Sequence, residues 1–243
     1  MRPSATVVIP ALNEEANIGA LLDEIWAMAA DPALLVVLNE IVVVDNGSSD
    51  ATADIAIEHR AHIVRENRRG YGRACLTGAE TATSDILVFM DGDRSEIPAE
   101  LPILLTPYFA YGAALVIGSR IRGHLEAGAL SAQQCWGNRI GSLLVRLIHG
   151  VRITDFGPYR VIRRDLLLGF DMREMTFGWP TEMIVRASKT PGGIIEVPVS
   201  CRRRGGGESK VSGNLRASVT TGYRMAAVMI RIWREDHRRS VNR

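Results

Sequence analysis

Cysteine is scarce in this sequence. Only Cys75, Cys135 and Cys201 occur in 243 residues, and they stand far apart. That spacing excludes a disulfide framework and a zinc-ligand set, and it predicts a reducing compartment. Long apolar runs are missing too. No stretch reaches about 18 uninterrupted apolar residues, so no membrane-spanning helix is predicted. The segment Met1 to Thr6 lacks the apolar region of a secretory signal. A strong excess of one charge is also absent. The net charge of +2 gives no global drive toward nucleic acid. Internal repeats and low-complexity tracts are not evident. These absences predict a cytoplasmic chain. What remains is 47% hydrophobic and 23% charged, ordinary for a globular protein with a full core.

The most informative stretch is Ile86-Leu87-Val88-Phe89-Met90-Asp91-Gly92-Asp93. Five apolar residues in a row predict a strand buried on both faces. It ends in two carboxylates separated by a glycine. In an open α/β sheet, ligands bind outside the carboxyl ends of the strands. Two carboxylates placed there repel unless something positive lies between them. A divalent cation carrying phosphate oxygens fits that place, since hard cations choose oxygen ligands. An acidic turn is the plainer alternative.

The chain before that stretch alternates strand and helix. Thr6 to Pro10 predicts a short buried strand. Ile18, Leu21, Leu22, Ile25 and Trp26 recur at helical spacing. Glu40 to Asp45 predicts a second buried strand, followed by a tight turn and a helix from Ala51 to His59. Ile63 to Arg65 is a short strand, and Asn67 to Gly72 a basic, glycine-bearing loop before a helix from Arg73 to Thr81. This rhythm predicts a mainly parallel sheet with right-handed crossovers. Asp45 and Asp91 then share one sheet edge.

The second half is less regular. Helices are predicted over Glu100–Tyr111, Ser131–His149, Thr181–Lys189 and Leu215–Arg234, with strands over Ala114–Gly118 and Ile194–Val199. In the helix from Ser131, Trp136, Ile140, Leu143, Leu144, Leu147 and Ile148 share one face, with Arg139 and Arg146 off it. Thr154 to Arg160 is a turn entering a strand, and Arg202 to Gly207 a flexible basic loop.

Several separated motifs agree with one family. Val8-Ile9-Pro10-Ala11-Leu12-Asn13-Glu14-Glu15 resembles the opening strand and turn of family 2 glycosyltransferases. Val44-Asp45-Asn46-Gly47-Ser48-Ser49-Asp50-Ala51-Thr52 is similar to their second signature, and Asn67-Arg68-Arg69-Gly70-Tyr71-Gly72 to their glycine-bearing segment. Asp91-Gly92-Asp93 matches their acidic triplet. Phe177-Gly178-Trp179 with Glu182-Met183, and Gly207-Glu208-Ser209-Lys210-Val211, resemble the polyprenyl-phosphate sugar transferase branch. The resemblance covers Thr6 to Gly213. It implies an α/β fold of the GT-A type: a Rossmann-like, mainly parallel sheet with helices on both faces and a smaller acceptor-side sheet region.

That resemblance also implies roles. Pro10, Asn13 and Glu15 would line the base and ribose pocket, with Asp45 hydrogen-bonding the base or ribose. Gly70 and Gly92 would lie against the donor. Asp91 and Asp93 would hold Mg²⁺ or Mn²⁺. Ser95 stands where the polyprenyl branch often carries a carboxamide ligand, with Glu96 beside it. Asp155 would lie by the reacting sugar. A hydroxyl acceptor would need Asp155 or Glu182 as its base, whereas a phosphate acceptor is already ionised. Arg120, Arg139, Arg202, Arg204 and Lys210 are candidates for phosphate contact. The Gly205 to Lys210 segment reads as a lid over donor and acceptor phosphates. The implied activity is an inverting, metal-dependent transfer from a UDP- or GDP-linked sugar to a polyprenyl phosphate. A soluble acceptor is the alternative. A nucleotidyltransferase and a non-catalytic nucleotide-binding scaffold are rivals from other classes. Ala11 to Glu15 lacks the glycine-rich, lysine-bearing loop that the former needs.

The segment from Tyr223 to Arg243 carries six arginines against Glu235 and Asp236. Residues 1–213 read as the catalytic domain, and 214–243 as an amphipathic basic helix and tail. That helix either docks on the domain or on another subunit, as in a homo-oligomer, or lies in a membrane interface at its inner face.

Overall fold

The computed structural model describes residues 2–206 and 215–241. Apolar runs form the sheet. Strands β1 (Ser4–Ala11), β2 (Val37–Asp45), β3 (His62–Arg65) and β4 (Ile86–Phe89) lie parallel. Strand β5 (Leu115–Ser119) and strand β7 (Ile194–Pro198) are parallel to each other. Strand β6 (Arg160–Arg163) runs antiparallel between β4 and β5. The order is β3-β2-β1-β4-β6-β5-β7 in one seven-stranded sheet. The expected smaller acceptor-side sheet is reduced, among the described residues, to two isolated bridges from Cys201 to Glu96 and Leu125.

Residue alternation divides the core between the two sheet faces. Val7 and Ile9 of β1 join one cluster with Ile18, Leu21, Leu22 and Ile25 of α1 (Ile18–Ala29). Leu101, Leu104 and Leu105 of α4 (Leu101–Tyr111) complete that side, and α2 (Thr52–Glu58) closes it near β2. Val8 faces the other way, with Cys75 of α3 (Tyr71–Thr81) and Trp179, Met183 and Ile184 of α7 (Trp179–Ala187). A short helix α6 (Arg164–Leu168), absent from the sequence reading, follows β6 directly.

Helix α5 (Ala132–His149) starts at Ser131, whose hydroxyl accepts from the Gln134 N–H in a capping box, and stops at Gly150 with φ 72°. Such a cap contributes roughly 1 kcal/mol. The last helix, α8 (Leu215–Val241), lies against α5 and α7. Its Val228, Met229 and Ile232 are buried in the second cluster, so this part of the helix docks on the domain.

Helix α5 buries Asn138, Gly141 and Val145. Its larger apolar side chains point out instead: Trp136 is 63% exposed, Ile140 55%, Leu143 54% and Leu147 71%. Gly141 explains the choice. A Cβ there would stand 2.8 Å from the Phe156 ring and 3.1 Å from Met225 Cε, so only glycine admits this close approach. Cys75 and Cys201 are buried, and Cys135 on the first turn of α5 is half-buried. Among the described residues no helix is long and apolar enough to cross a membrane.

Candidate active site

The sheet brings the ends of β1, β2, β4 and β5 to one edge, and antiparallel β6 begins there. A cleft of about 600 Å³ opens along it. Pro10, Glu14, Asn46, Tyr71, Asp91, Gly92, Asp93, Arg120, Arg160 and Arg204 line its polar part. The cleft continues between α5, α7 and α8, where Ile140, Leu144, Phe156, Phe177, Met225 and Met229 make its walls apolar.

The two acidic residues differ. Asp91 accepts from the Tyr71 hydroxyl at 3.0 Å. Its dense surroundings, and next the charge of Asp93, push its carboxyl up to about 7. Asp93 accepts from the Ser95 N–H at 3.0 Å and lies 3.5 Å from Arg204 Nη1. A cation between these carboxylates would relieve the repulsion that raises Asp91. Glu96 turns beneath them. It is 1% exposed, accepts from the Asp91 N–H at 3.2 Å, and is pushed well above the usual carboxylate range by burial and by Asp91. The described residues contain no cluster of three metal-ligating side chains. Asp91 and Asp93 therefore fit a cation whose other ligands are phosphate oxygens and water, the usual pattern for Mg²⁺.

The other sequence-derived candidates divide. Arg204 reaches both Glu14 and Asp93 in the cleft, and its Nε donates to the Gly206 carbonyl at 2.7 Å. Arg202 is occupied by Glu24 and by the Arg94 carbonyl. Arg120 lines the cleft, but both arms of its fork are filled by Asp155, at 2.8 Å each. Asp155 is fully buried and also accepts from the Arg120 N–H. Burial would raise its pKa, but Arg120 outweighs that and holds it below the usual range. Asp155 therefore acts on Arg120 rather than facing the cleft.

Glu182, expected as an alternative base, does not line the cleft. It is fully buried and accepts from the Arg173 and Glu174 N–H groups and from Arg186 Nε. Arg231 of α8 is 2.8 Å away. This carboxylate ties α8 and the 170s loop to α7. Arg139 is exposed on α5, over the Trp136 ring at 5.9 Å, away from the cleft. Lys210 lies outside the described residues.

The nucleotide-side candidates are mostly woven into the loops. The Asn13 carboxamide accepts from the Ser49 N–H at 2.8 Å, and Glu15 accepts from the Ala51 N–H at 3.1 Å. Both link the loop after β1 to the start of α2. Asp45 accepts from the Ser48 N–H at 2.8 Å and shapes the turn after β2. Gly70 has φ 146°, and a Cβ there would collide with the Met175 carbonyl oxygen. Its N–H donates to Asn46 Oδ1. Sequence reasoning gave no site role to Tyr71 or Asn46. Both stand inside the family-like motifs, Tyr71 between Gly70 and Gly72 and Asn46 after Asp45, and that position was the available signal.

A model of the family "Glycosyl transferase family 2" matches residues 6–169. The chain is a family 2 glycosyltransferase. A polyprenol monophosphomannose synthase of Mycolicibacterium smegmatis is 31% identical over 88% of this chain and 83% of its own length. An undecaprenyl-phosphate mannosyltransferase of Micrococcus luteus is 33% identical over 73% of this chain and 77% of its own. An uncharacterized glycosyltransferase of Mycobacterium tuberculosis is 37% identical over 89% and 93%. Among solved structures, glucosyl-3-phosphoglycerate synthase of Mycobacterium tuberculosis, in complex with Mn²⁺, UDP-glucose and phosphoglyceric acid, superposes with TM-score 0.74. It is 22% identical and covers 95% of this glycosyltransferase and 80% of its own chain. That likeness establishes the GT-A fold of the family member described here.

Proposed function

We propose that this glycosyltransferase moves a sugar from a UDP- or GDP-linked donor to a polyprenyl phosphate, inverting the anomeric carbon. The observation that carries the reading is the continuity of the cleft. It begins at Asp91 and Asp93 and runs on into the apolar groove between α5, α7 and α8. An amphiphile with an anionic head and a hydrocarbon tail matches both parts. Relatives named for polyprenyl phosphates support the same acceptor class.

Asp91 and Asp93 would hold Mg²⁺ or Mn²⁺, which supplies Lewis-acid neutralisation of the donor diphosphate. Arg204, paired with Glu14 and Asp93 in the same cleft, would add its positive charge to that neutralisation. An acceptor phosphate oxygen forms the new bond to the anomeric carbon. The bond from that carbon to the diphosphate breaks, and the nucleoside diphosphate leaves with the electron pair. A phosphate monoester has its second pKa near ~6 and arrives ionised. No strong base is required, which agrees with the saturation of Asp155 and Glu182 by their partners.

The outward apolar residues of α5 share their helix with the exposed Arg139 and Arg146, and α8, which packs on α5, exposes Tyr223, Ile230 and Trp233. Such a face suits peripheral contact with an anionic bilayer, where the tail of the acceptor resides.

The test is transfer itself. Full-length protein, Mn²⁺ or Mg²⁺ and labelled UDP- and GDP-sugars are incubated with undecaprenyl phosphate in detergent, or with soluble phosphate monoesters. Label should enter the organic phase only with the lipid phosphate and metal. Transfer confined to soluble acceptors overturns the lipid assignment.

A further inference from the structure

Among the described residues three arginines line the cleft, and two of them are held in ion pairs. Arg120 is filled by Asp155 and Arg204 by Glu14. Arg160 is different. It opens β6 opposite Phe89 of β4 and Ile117 of β5, so its Cα is fixed at the functional edge by ladders on both sides. The residue is 0% exposed. Its Nη2 donates to the Phe156 carbonyl at 2.7 Å, and its Nε and Nη1 have no hydrogen-bond partner among the described residues. The nearest acids do not compensate it directly. Asp155 is spent on Arg120, and Asp91 accepts from Tyr71. A second buried group without a partner among the described residues, the Thr181 hydroxyl of α7, lines the same cleft.

Buried guanidinium groups are normally paired, because an uncompensated buried charge is strongly destabilising. A fold retains such a group where a ligand completes it. Nε–H and Nη1–H lie on different edges of the guanidinium, and Nη2 keeps a second N–H beside the one it gives to Phe156, so one edge can still set two parallel donors against two oxygens of a phosphate. The position is also informative. Arg160 donates to the carbonyl of Phe156, an apolar wall residue, and is close enough to Asp91 for the two charges to act on each other, so it touches both the apolar and the acidic parts of the cleft lining.

We propose that Arg160, with the Thr181 hydroxyl, is the seat for the acceptor's phosphate monoester, holding it at the junction of donor site and groove. This rests on the phosphate-acceptor reading above. The shared chemistry is a phosphate monoester, whether on a lipid or on a soluble molecule.

The experiment compares wild type with R160K, R160Q and T181V, each first checked for folding by circular dichroism and melting temperature. Three quantities are read: the affinity for Mn²⁺–UDP by calorimetry, the KM for undecaprenyl phosphate and for glycerol 3-phosphate, and stabilisation by inorganic phosphate. R160Q should raise the acceptor KM about tenfold or more, the scale of losing a charge-assisted pair of hydrogen bonds. R160K should recover part of that loss, and T181V should show a smaller one. UDP affinity should stay within about twofold, consistent with a contact outside the donor site. Inorganic phosphate should stabilise wild type and not R160Q. The lipid and soluble arms tell which molecule carries the phosphate. A variant that loses UDP affinity while keeping its acceptor KM assigns Arg160 to the donor and overturns the proposal. So does R160K behaving as wild type, or wild type unmoved by inorganic phosphate. If no acceptor is glycosylated yet inorganic phosphate stabilises wild type alone, the transfer reading fails and the Arg160 site stands.

Discussion

Gly137 offers a way to separate the groove from the fold. It lies in the body of α5 and lines the cleft, and a Cβ there would meet nothing within 4 Å. One turn on, Gly141 has no such room. Replacing Gly137 with leucine should therefore do two opposite things. The helix loses a residue that costs about 0.8–1 kcal/mol relative to alanine, so the fold should gain close to that amount. For a chain of this size the melting temperature should rise by about 2–4 °C. The leucine side chain would then occupy space in the groove. Excluding roughly two methylene groups of a bound hydrocarbon tail removes about 1.6 kcal/mol, or some 15-fold in KM for undecaprenyl phosphate. Affinity for Mn²⁺–UDP and KM for a soluble phosphate monoester should not move. The assay is a thermal melt beside acceptor titrations in detergent. A G137L protein that melts higher and glycosylates the lipid with unchanged KM would refute the groove as the acceptor path. A smaller residue at the same place, G137A, should keep the gain in stability with little loss of lipid affinity.

Asp91 should make metal binding depend on pH. Its folded-state pKa, about 7, lies above the unfolded value near 3.8, so its contribution to the stability of the metal-free protein is present at acid pH and is lost as pH rises through 7. Metal binding needs the ionised form, so the rise in melting temperature caused by Mn²⁺ should grow between pH 6 and pH 8; an equal rise across that range would exclude Asp91 as a ligand. E182Q removes the charge that faces Arg186 and Arg231, and should cost about 3 kcal/mol and speed hydrogen exchange in α8; a variant with unchanged stability and no turnover would instead restore Glu182 to catalysis. Replacing Trp136 and Leu147 together with aspartate should abolish sedimentation with anionic liposomes while leaving Mn²⁺–UDP binding intact, and undiminished sedimentation would remove α5 from the membrane contact.

The strands that end in aspartate were legible because each is an apolar run with a carboxylate stop, and β2 and β4 adopt that pattern. Strand β6 was harder to define. Its four residues carry arginine at both ends, and only the neighbouring β4 and β5 make it a strand. The acidic pair was legible for the same local reason. Asp155 and Glu182 were not, since what decides their role is a partner distant in the chain: Arg120 for one, Arg231 for the other. On α5, periodicity showed an apolar face without showing which way it points. Gly141 decides that by permitting close approach on the opposite side, a property that hydropathy does not register. Arg160 looked like an ordinary charged strand end, and its burial depends on the whole sheet edge.

The three cysteines have a practical consequence. Burial raises the Cys75 thiol far above its ordinary value and pushes Cys201 up to about 12, so neither offers much thiolate at neutral pH. Cys135 is the half-buried one, two residues before Gly137 on the helix that walls the groove. A maleimide dye should attach there selectively, giving the native chain a single fluorescent reporter beside the groove, with no engineered cysteine.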